Sequence, residues 1–335
     1  MKRLCVIAGD GIGAEVVPVA VDSLRRLLPD LATESAEAGW GCFERSGSAV
    51  PEATLASMRE CGAGIFGAVS SPSHAVAGYR SAILTLRQQL SLHCNLRPIR
   101  SWPVISPRPH IDMIILRENS EGLYIGRERM DGEGRAIAER QITRKASENL
   151  AQRLAEVAAL RNARRITLVH KANVLPLTCG LFRDSARQVL AEAGWSECVD
   201  ERLVDVAALQ LVESPERFDL IATTNLFGDI LSDLACHWSG GLGTAPSLNW
   251  GDGIALAEPV HGSAPDIAGT GRANPLAALL SAALLLRYYW HLPALADRLE
   301  SAVANFLQDA GTVDFGDRTT RTIADGVLAR LGSRW

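Results

Sequence analysis

Short β-branched or leucine-rich runs alternate with longer amphipathic ones along this chain. The short runs Leu4–Ala8, Ile111–Leu116, Ile166–His170 and Leu220–Thr223 predict strands. The longer runs Ala14–Leu28, Ser81–Leu90, Thr143–Leu160, Leu181–Ala193 and Pro275–Tyr288 predict helices. Leu150, Leu154 and Val157 share one helical face. Asn274 before Pro275 reads as an N-cap followed by a first-turn proline. The alternation implies an α/β fold with a largely parallel sheet. Two stretches interrupt it. Residues 97–110, RPIRSWPVISPRPH, are proline-rich and read as a crossover between two lobes. Residues 123–142 place Asp131-Gly132 between two β-compatible runs, which reads as a hairpin that projects or pairs with another chain.

Bulk properties narrow the class. A chain of 335 residues, 47% hydrophobic, has material for one large domain or two ordinary ones. The net charge of 34 − 38 = −4 gives no basic excess of the kind a nucleic-acid surface needs. Seven cysteines without a CxxC pair argue against a disulfide framework or zinc ribbon, and for a reducing compartment. The apolar run after Lys2 and Arg3 is short and is broken by Asp10, unlike a signal peptide. The apolar helix candidate Pro275–Leu286 stops at Arg287, too short to span a bilayer. A soluble cytoplasmic protein is expected, with neither nucleic acid nor membrane as partner.

Gly9, Gly11 and Gly13 follow the first strand, where a phosphate-cradling loop would sit. A dinucleotide fingerprint also needs an acidic residue at the end of the second strand, about 20 positions on. Asp30 and Glu34 end no convincing apolar strand, so a tight strand-to-helix turn is the better reading.

Other constellations carry more chemistry. Asp229 and Asp233 in LFGDILSDLA lie at i and i+4, on one helix face, where their charges repel. A solvated face would tolerate that; Mg²⁺ or Mn²⁺ would turn it into ligation. Asp205 interrupts an apolar stretch and adds a third carboxylate. Arg87, Arg97 and Arg117 lie in apolar or strand-terminal settings. One such arginine is usually a structural ion pair. Three beside an aspartate cluster suggest a polycarboxylate held by guanidinium forks and a metal. Lys171 directly follows a strand, where open α/β sheets often place active sites; it is a surface lysine or a base. Tyr124 is an acid or ordinary hairpin packing. Residues 258–275, EPVHGSAPDIAGTGRANP, are too irregular for helix or strand. They form an ordered surface loop, or one presenting amides to phosphates and Asp266 to a ribose diol.

Together GDGIG, LRQQL…NLRP, RENSEGLY, HKANVLP, TTNLFGDILSDLA and EPVHGSAPDIAGTGRANP, in this order, resemble the β-decarboxylating dehydrogenases: isocitrate, 3-isopropylmalate, homoisocitrate and tartrate dehydrogenases. The resemblance runs nearly end to end. It implies a two-lobed α/β fold with parallel and mixed sheets, not an ordinary Rossmann fold. One lobe would be 1–95 plus 240–335 and the other 96–239, with the hairpin as a dimer clasp. It implies that Arg87, Arg97 and Arg117 clamp the malate part of a small tricarboxylate. Tyr124 and Lys171 match the acid–base pair, and Asp205, Asp229 and Asp233 match the Mg²⁺/Mn²⁺ ligands. Lys171 and Asp205 would serve the neighbouring subunit, making a homodimer, alone or within a tetramer, the working unit. Asn173, Glu258, His261, Gly262, Ser263, Ala264, Asp266 and Asn274 match the cofactor site. Asp266-Ile267 resembles NAD-using members, and the GDGIG turn would be its scaffold or wall.

The stretch 71–87, SPSHAVAGYRSAILTLR, would read the substrate's side group. It lacks the acid and Leu-Leu pair of isopropylmalate enzymes. Ser81 matches a serine that holds a distal carboxylate in isocitrate enzymes, but Ile83 stands where they carry Asn. Arg80 adds a cation for a distal carboxylate or for solvent. The pattern is nearer to homoisocitrate enzymes, with isocitrate as the alternative. The tyrosine, lysine and aspartates are all present, unlike in a non-catalytic regulatory subunit.

Overall fold

The computed structural model describes residues 1–74, 76–311 and 318–332. Its strands are Arg3–Gly9 (β1), Ala32–Ala36 (β2), Ala63–Ala68 (β3), Cys94–Arg100 (β4), Asp112–Glu118 (β5) and Glu128–Met130 (β6). Ala136–Ala138 (β7), Ile166–His170 (β8), Val199–Leu203 (β9), Leu220–Thr223 (β10), Pro246–Gly251 (β11) and Ile254–Pro259 (β12) complete them. Two units form. Unit 1 is Met1–Leu92, Ser101–Pro109 and Ser239–Trp335; unit 2 is His93–Arg100 and His110–Trp238. The stretch Ser101–Pro109 therefore returns to unit 1 instead of staying with the middle of the chain.

In unit 1 the strands run β2-β1-β3-β12-β11, all parallel except the antiparallel pair β11–β12. In unit 2 they run β4-β5-β10-β8-β9, all parallel except β4–β5. Neither order is that of the ordinary dinucleotide-binding half. β3, β8 and β10 are buried at every position, as expected where helices cover both faces of a parallel sheet. Leu150, Leu154 and Val157 are buried on the helix Arg144–Arg161, whose cap Thr143 accepts from the Ala146 amide.

Several expectations change in detail. The helix foreseen from Leu181 starts at Thr178, because buried Cys179 and Phe182 supply an earlier apolar turn. The helix foreseen over Pro275–Tyr288 is α-helical over Leu276–Leu284 and then widens into a π turn over Leu285–Tyr289. The N-cap is Pro275 instead of Asn274, whose Oδ1 accepts from the Leu276 amide at 3.0 Å from one position earlier. The proline-rich stretch begins inside β4. Pro98 faces Ile114, whose amide bonds to Asp219 on the other side. The pair is thus a non-hydrogen-bonded one, and the position needs no N–H toward β5. The hairpin β6–β7 exists, but Asp131-Gly132 opens a five-residue connection closed by the Asp131 amide on Arg135 O. The two-residue Asp-Gly turn of this chain is Asp252-Gly253, joining β11 to β12 with Gly253 at φ +70°. Among the described residues no helix is long and apolar enough to cross a membrane.

Candidate active site

Unit 2 gathers Arg97 and Arg117 with Asp229 and Asp233. Arg117 ends a buried apolar strand, so its guanidinium emerges against the helix Asn225–Ala235. Its Nε and Nη2 donate to Asn225 Oδ1 at 2.9 and 2.7 Å, and Nη1 donates to Asp229. Gly228 permits this contact, since a Cβ there would stand 2.7 Å from Arg117 Cβ. The Tyr124 hydroxyl, presented by the short 3₁₀ turn Leu123–Ile125, donates to the other oxygen of Asp229. The Arg117 guanidinium carbon lies 5.0 Å from the Tyr124 ring centre. Burial, then the hydrogen bond to Asp229, raises the Tyr124 pKa above its ordinary value. Tyr124 is therefore protonated at neutral pH.

Arg97, on β4, donates to Asn95 Oδ1 at 2.7 Å, to Ser232 Oγ at 2.7 Å and to Asp233 at 3.0 Å. Asp229 and Asp233 therefore share a face that meets guanidinium groups. Their side chains remain 32% and 54% exposed, open to a further partner. Burial, with the Asp229 charge, outweighs Arg97 and raises the Asp233 pKa. Two carboxylates at this spacing, backed by fixed hydrogen bonds, have the chemistry to hold a hard divalent cation. Asn95, Asn225 and Ser232 are polar supports that sequence reasoning missed. Only the oxygen acceptor facing each buried arginine marks them.

Lys171 follows β8 and pairs with Asp205, at the start of the helix Val204–Glu213. That bond lowers the Asp205 pKa. Among the described residues no three His, Cys, Asp or Glu side chains of one chain are grouped for a metal. Asp205 thus does not join Asp229 and Asp233 within a single chain. Asn173 lies exposed in the turn after Lys171.

Unit 1 holds Arg87 and the irregular loop. Arg87, in the last turn of the helix Ala82–Gln89, donates to Glu258 Oε1 at 2.8 Å. Glu258 also accepts from Asn249 at 2.9 Å. Arg87 Nε is buried without a hydrogen-bond partner among the described residues. Ser81 precedes this helix without capping it through its hydroxyl. Ile83 packs partly buried against the core, and exposed Arg80 donates to Gln88. Ala75 of the stretch 71–87 lies outside the described residues.

The 261–274 loop is pinned to the first turn of the chain. The Ile12 amide donates to Ser263 O at 2.9 Å, and Ser263 Oγ pairs with Ser70 Oγ at 2.8 Å. Gly11, at φ +55°, lies so close that a Cβ would stand 2.1 Å from Ser263 O. The GDGIG turn is a wall for this loop. Its Asp10 carboxylate accepts from the amides of Trp40 (2.7 Å), Gly41 (2.9 Å) and Ser70 (2.9 Å). Ser70 is a further residue that sequence reasoning did not single out. Glu15 accepts from the Gly269 amide at 2.7 Å. Gly262 and Asp266 are exposed, while Ala264 takes φ +41°. Burial lowers the His261 pKa, and its buried Nε2 has no hydrogen-bond partner among the described residues. An exposed carboxylate, an imidazole nitrogen and a backbone pinned at Ser263 and Gly269 have the chemistry to meet a nucleotide's ribose and phosphates.

A two-unit α/β fold with mixed sheets thus sets arginines beside a tyrosine and paired aspartates, a set with the chemistry to bind carboxylates and a cation. Residues 3–327 match the isocitrate/isopropylmalate dehydrogenase family, and the chain belongs to it. It is 48% identical to the isocitrate/homoisocitrate dehydrogenase of Thermus thermophilus over 99% of both chains. It is 43% identical to the homoisocitrate dehydrogenase of Methanocaldococcus jannaschii, over 98% of this chain and 97% of that one. Its fold matches the crystal structure of isocitrate dehydrogenase from Methylococcus capsulatus with a TM-score of 0.92, at 37% identity over 99% of both chains. The protein is a β-decarboxylating dehydrogenase of the isocitrate, homoisocitrate or isopropylmalate type.

Proposed function

We propose that this enzyme carries out NAD-dependent oxidative decarboxylation of a 3-substituted malate, homoisocitrate foremost, giving 2-oxoadipate and CO₂. The observation that carries the reading is the Arg117–Asp229–Tyr124 constellation with Arg97 and Asp233 beside it. Arg97 and Arg117 would take substrate carboxylates, and Arg87 has an Nε suited to a carboxylate as well. Lys171 of a second copy would accept the substrate's hydroxyl proton, and a bound nicotinamide would supply the hydride acceptor. The carbon–carbon bond to the departing carboxylate then breaks, and Tyr124 protonates the enol carbon. A raised pKa keeps that proton on Tyr124 until it is needed. Asp229 and Asp233, with Asp205 of a second copy, would hold Mg²⁺ or Mn²⁺, which supplies Lewis-acid stabilisation of the enolate. Residues 261–274 would hold the nucleotide, with Asp266 suited to its ribose and Glu258 and Asn274 framing the loop.

A homodimer is part of this reading. Val206, Leu209 and Val212 on one helix, and Ile230 and Leu234 on the next, are exposed apolar residues in need of cover. The alternative substrate is isocitrate, favoured by Ser81 and by the double name of the Thermus thermophilus relative. A methylene difference is worth only about 1–3 kcal/mol in a pocket, so overlap is expected. The test is reduced-nucleotide formation with homoisocitrate, isocitrate and 3-isopropylmalate, each with NAD⁺ or NADP⁺. Activity should fall with EDTA and return with Mg²⁺. Preference for isopropylmalate, or for NADP⁺, would refute the corresponding part of the reading.

A further inference from the structure

We propose that His170 is a positioning residue that orients Lys171 through the peptide joining Lys171 to Ala172; this rests on the reading of Lys171 as the base. His170 is the buried last residue of β8. Its Nδ1 accepts from the Ala172 amide at 3.2 Å. A ring nitrogen that accepts an N–H carries no proton, so the ring proton is assigned to Nε2, 3.1 Å from Glu201 Oε2. Glu201, on β9, is fixed in turn by Arg187 from the helix Thr178–Glu192. Burial pushes the Glu201 pKa up, but the bonds from Arg187 and His170 outweigh it, and the carboxyl lies below its usual value. Glu201, Arg187 and the nearby Asp184 are the charged groups that face the ring.

The other polar atom of the same peptide is held as well. Lys171 O accepts from the Val174 and Leu175 amides at 3.0 and 2.8 Å. A peptide is planar, so fixing its N–H on one side and its C=O on the other fixes its rotation. That rotation sets the backbone from which the Lys171 side chain leaves, and it also places Asn173. The ring therefore acts on the base without touching the reacting atoms.

The two ring nitrogens can be separated by substitution in the full chain. His170→Asn keeps an acceptor near the Nδ1 position and loses reach to Glu201. His170→Gln reaches toward Glu201 and lacks the near acceptor. The expected result is a kcat loss of roughly 100-fold in His170→Gln, the scale of about a 1 Å misplacement. His170→Asn should restore most of the rate, and KM for substrate and nucleotide should move little in either. Losses that are equal in both variants and follow their melting temperatures would show a merely structural role and overturn the proposal. Retention by Gln with loss by Asn would overturn it too, assigning the effect to Glu201. Lys171→Ala, measured in parallel, separates the two readings: if it keeps the rate, the base assignment falls and the proposal with it. If it loses the rate while His170→Gln does not, only the proposal falls. Should the variants not fold, amide exchange in the unmodified protein decides: Ala172 should be protected, and exchange at the rate of an unbonded amide would overturn the proposal.

Discussion

Gly11→Ala probes the first turn of the chain as a wall for the 261–274 loop, where the nucleotide is proposed to bind. Gly11 has φ +55°, a left-handed conformation costing roughly 1–2 kcal/mol for a residue with a Cβ. The new methyl would also stand 2.1 Å from Ser263 O and 2.9 Å from both Ser263 C and Cβ. None of those is the far end of a flexible side chain, so backbone must shift, an overpacking cost of about 1–3 kcal/mol. Gly47→Ala is the control. It has φ +74° with nothing within 4 Å of an added methyl, so it bears the conformational cost alone. Urea unfolding should place Gly11→Ala about 1–3 kcal/mol below Gly47→Ala. If Ser263 yields instead, the deficit moves into NAD⁺ affinity, read by calorimetry. Equal stability and equal nucleotide affinity in the two variants would refute the wall.

Two more tests address the catalytic unit. Tyr124→Phe should slow decarboxylation by at least roughly 100-fold, the lower end for a general acid, while sparing reduction of the β-keto acid by the reduced nucleotide. Equal loss of both steps, or of neither, would move the acid role elsewhere. Glu121 is buried, which, with the Glu118 charge, raises its pKa to about 7. The native state thus binds its proton more tightly than the unfolded chain does. Stability from this group is full below the unfolded value, roughly pH 4.3, and is lost as pH rises through about 7. Glu121→Gln keeps an acceptor for the Thr143 amide, which now bonds Glu121 at 2.8 Å. Its urea midpoint should fall less between about pH 5 and about pH 8 than the parent's; an unchanged slope would refute the assignment.

The sequence was legible where burial imposes a simple period. Ile166–His170 and Leu220–Thr223 emerge at the foreseen bounds because both faces are covered and the apolar run is continuous. The polar strands Ala32–Ala36 and Val199–Leu203 give no such run, since each pairs on one side only, at the end of its unit's strand order. β4 is hidden because Arg97 and Pro98 look foreign to a strand until the register excuses the missing N–H. The Asp252-Gly253 turn was as readable as Asp131-Gly132, and the flanking SLNWG conceals a strand because Asn249 turns inward to Glu258. For the site, residue types came through the motifs, but their partners did not. Nothing in the spacing alone says that Asp229 meets Arg117 and Tyr124, or that Asp205 meets Lys171, because those pairings join residues 34 to 112 positions apart.

The carboxylate of Asp10 has a consequence for engineering. It binds the amides of Trp40, Gly41 and Ser70 at once, while the Ser70 hydroxyl reaches Ser263. The stretch 71–87, proposed to read the substrate, is therefore no interchangeable cassette at its N-terminal border. A transplant from a relative with another specificity leaves this junction untouched if the donor segment begins at residue 71. Cut one residue earlier, the graft keeps the amide on Asp10 unless it brings a proline, but it keeps the bond to the 261–274 loop only if it brings a hydroxyl at position 70.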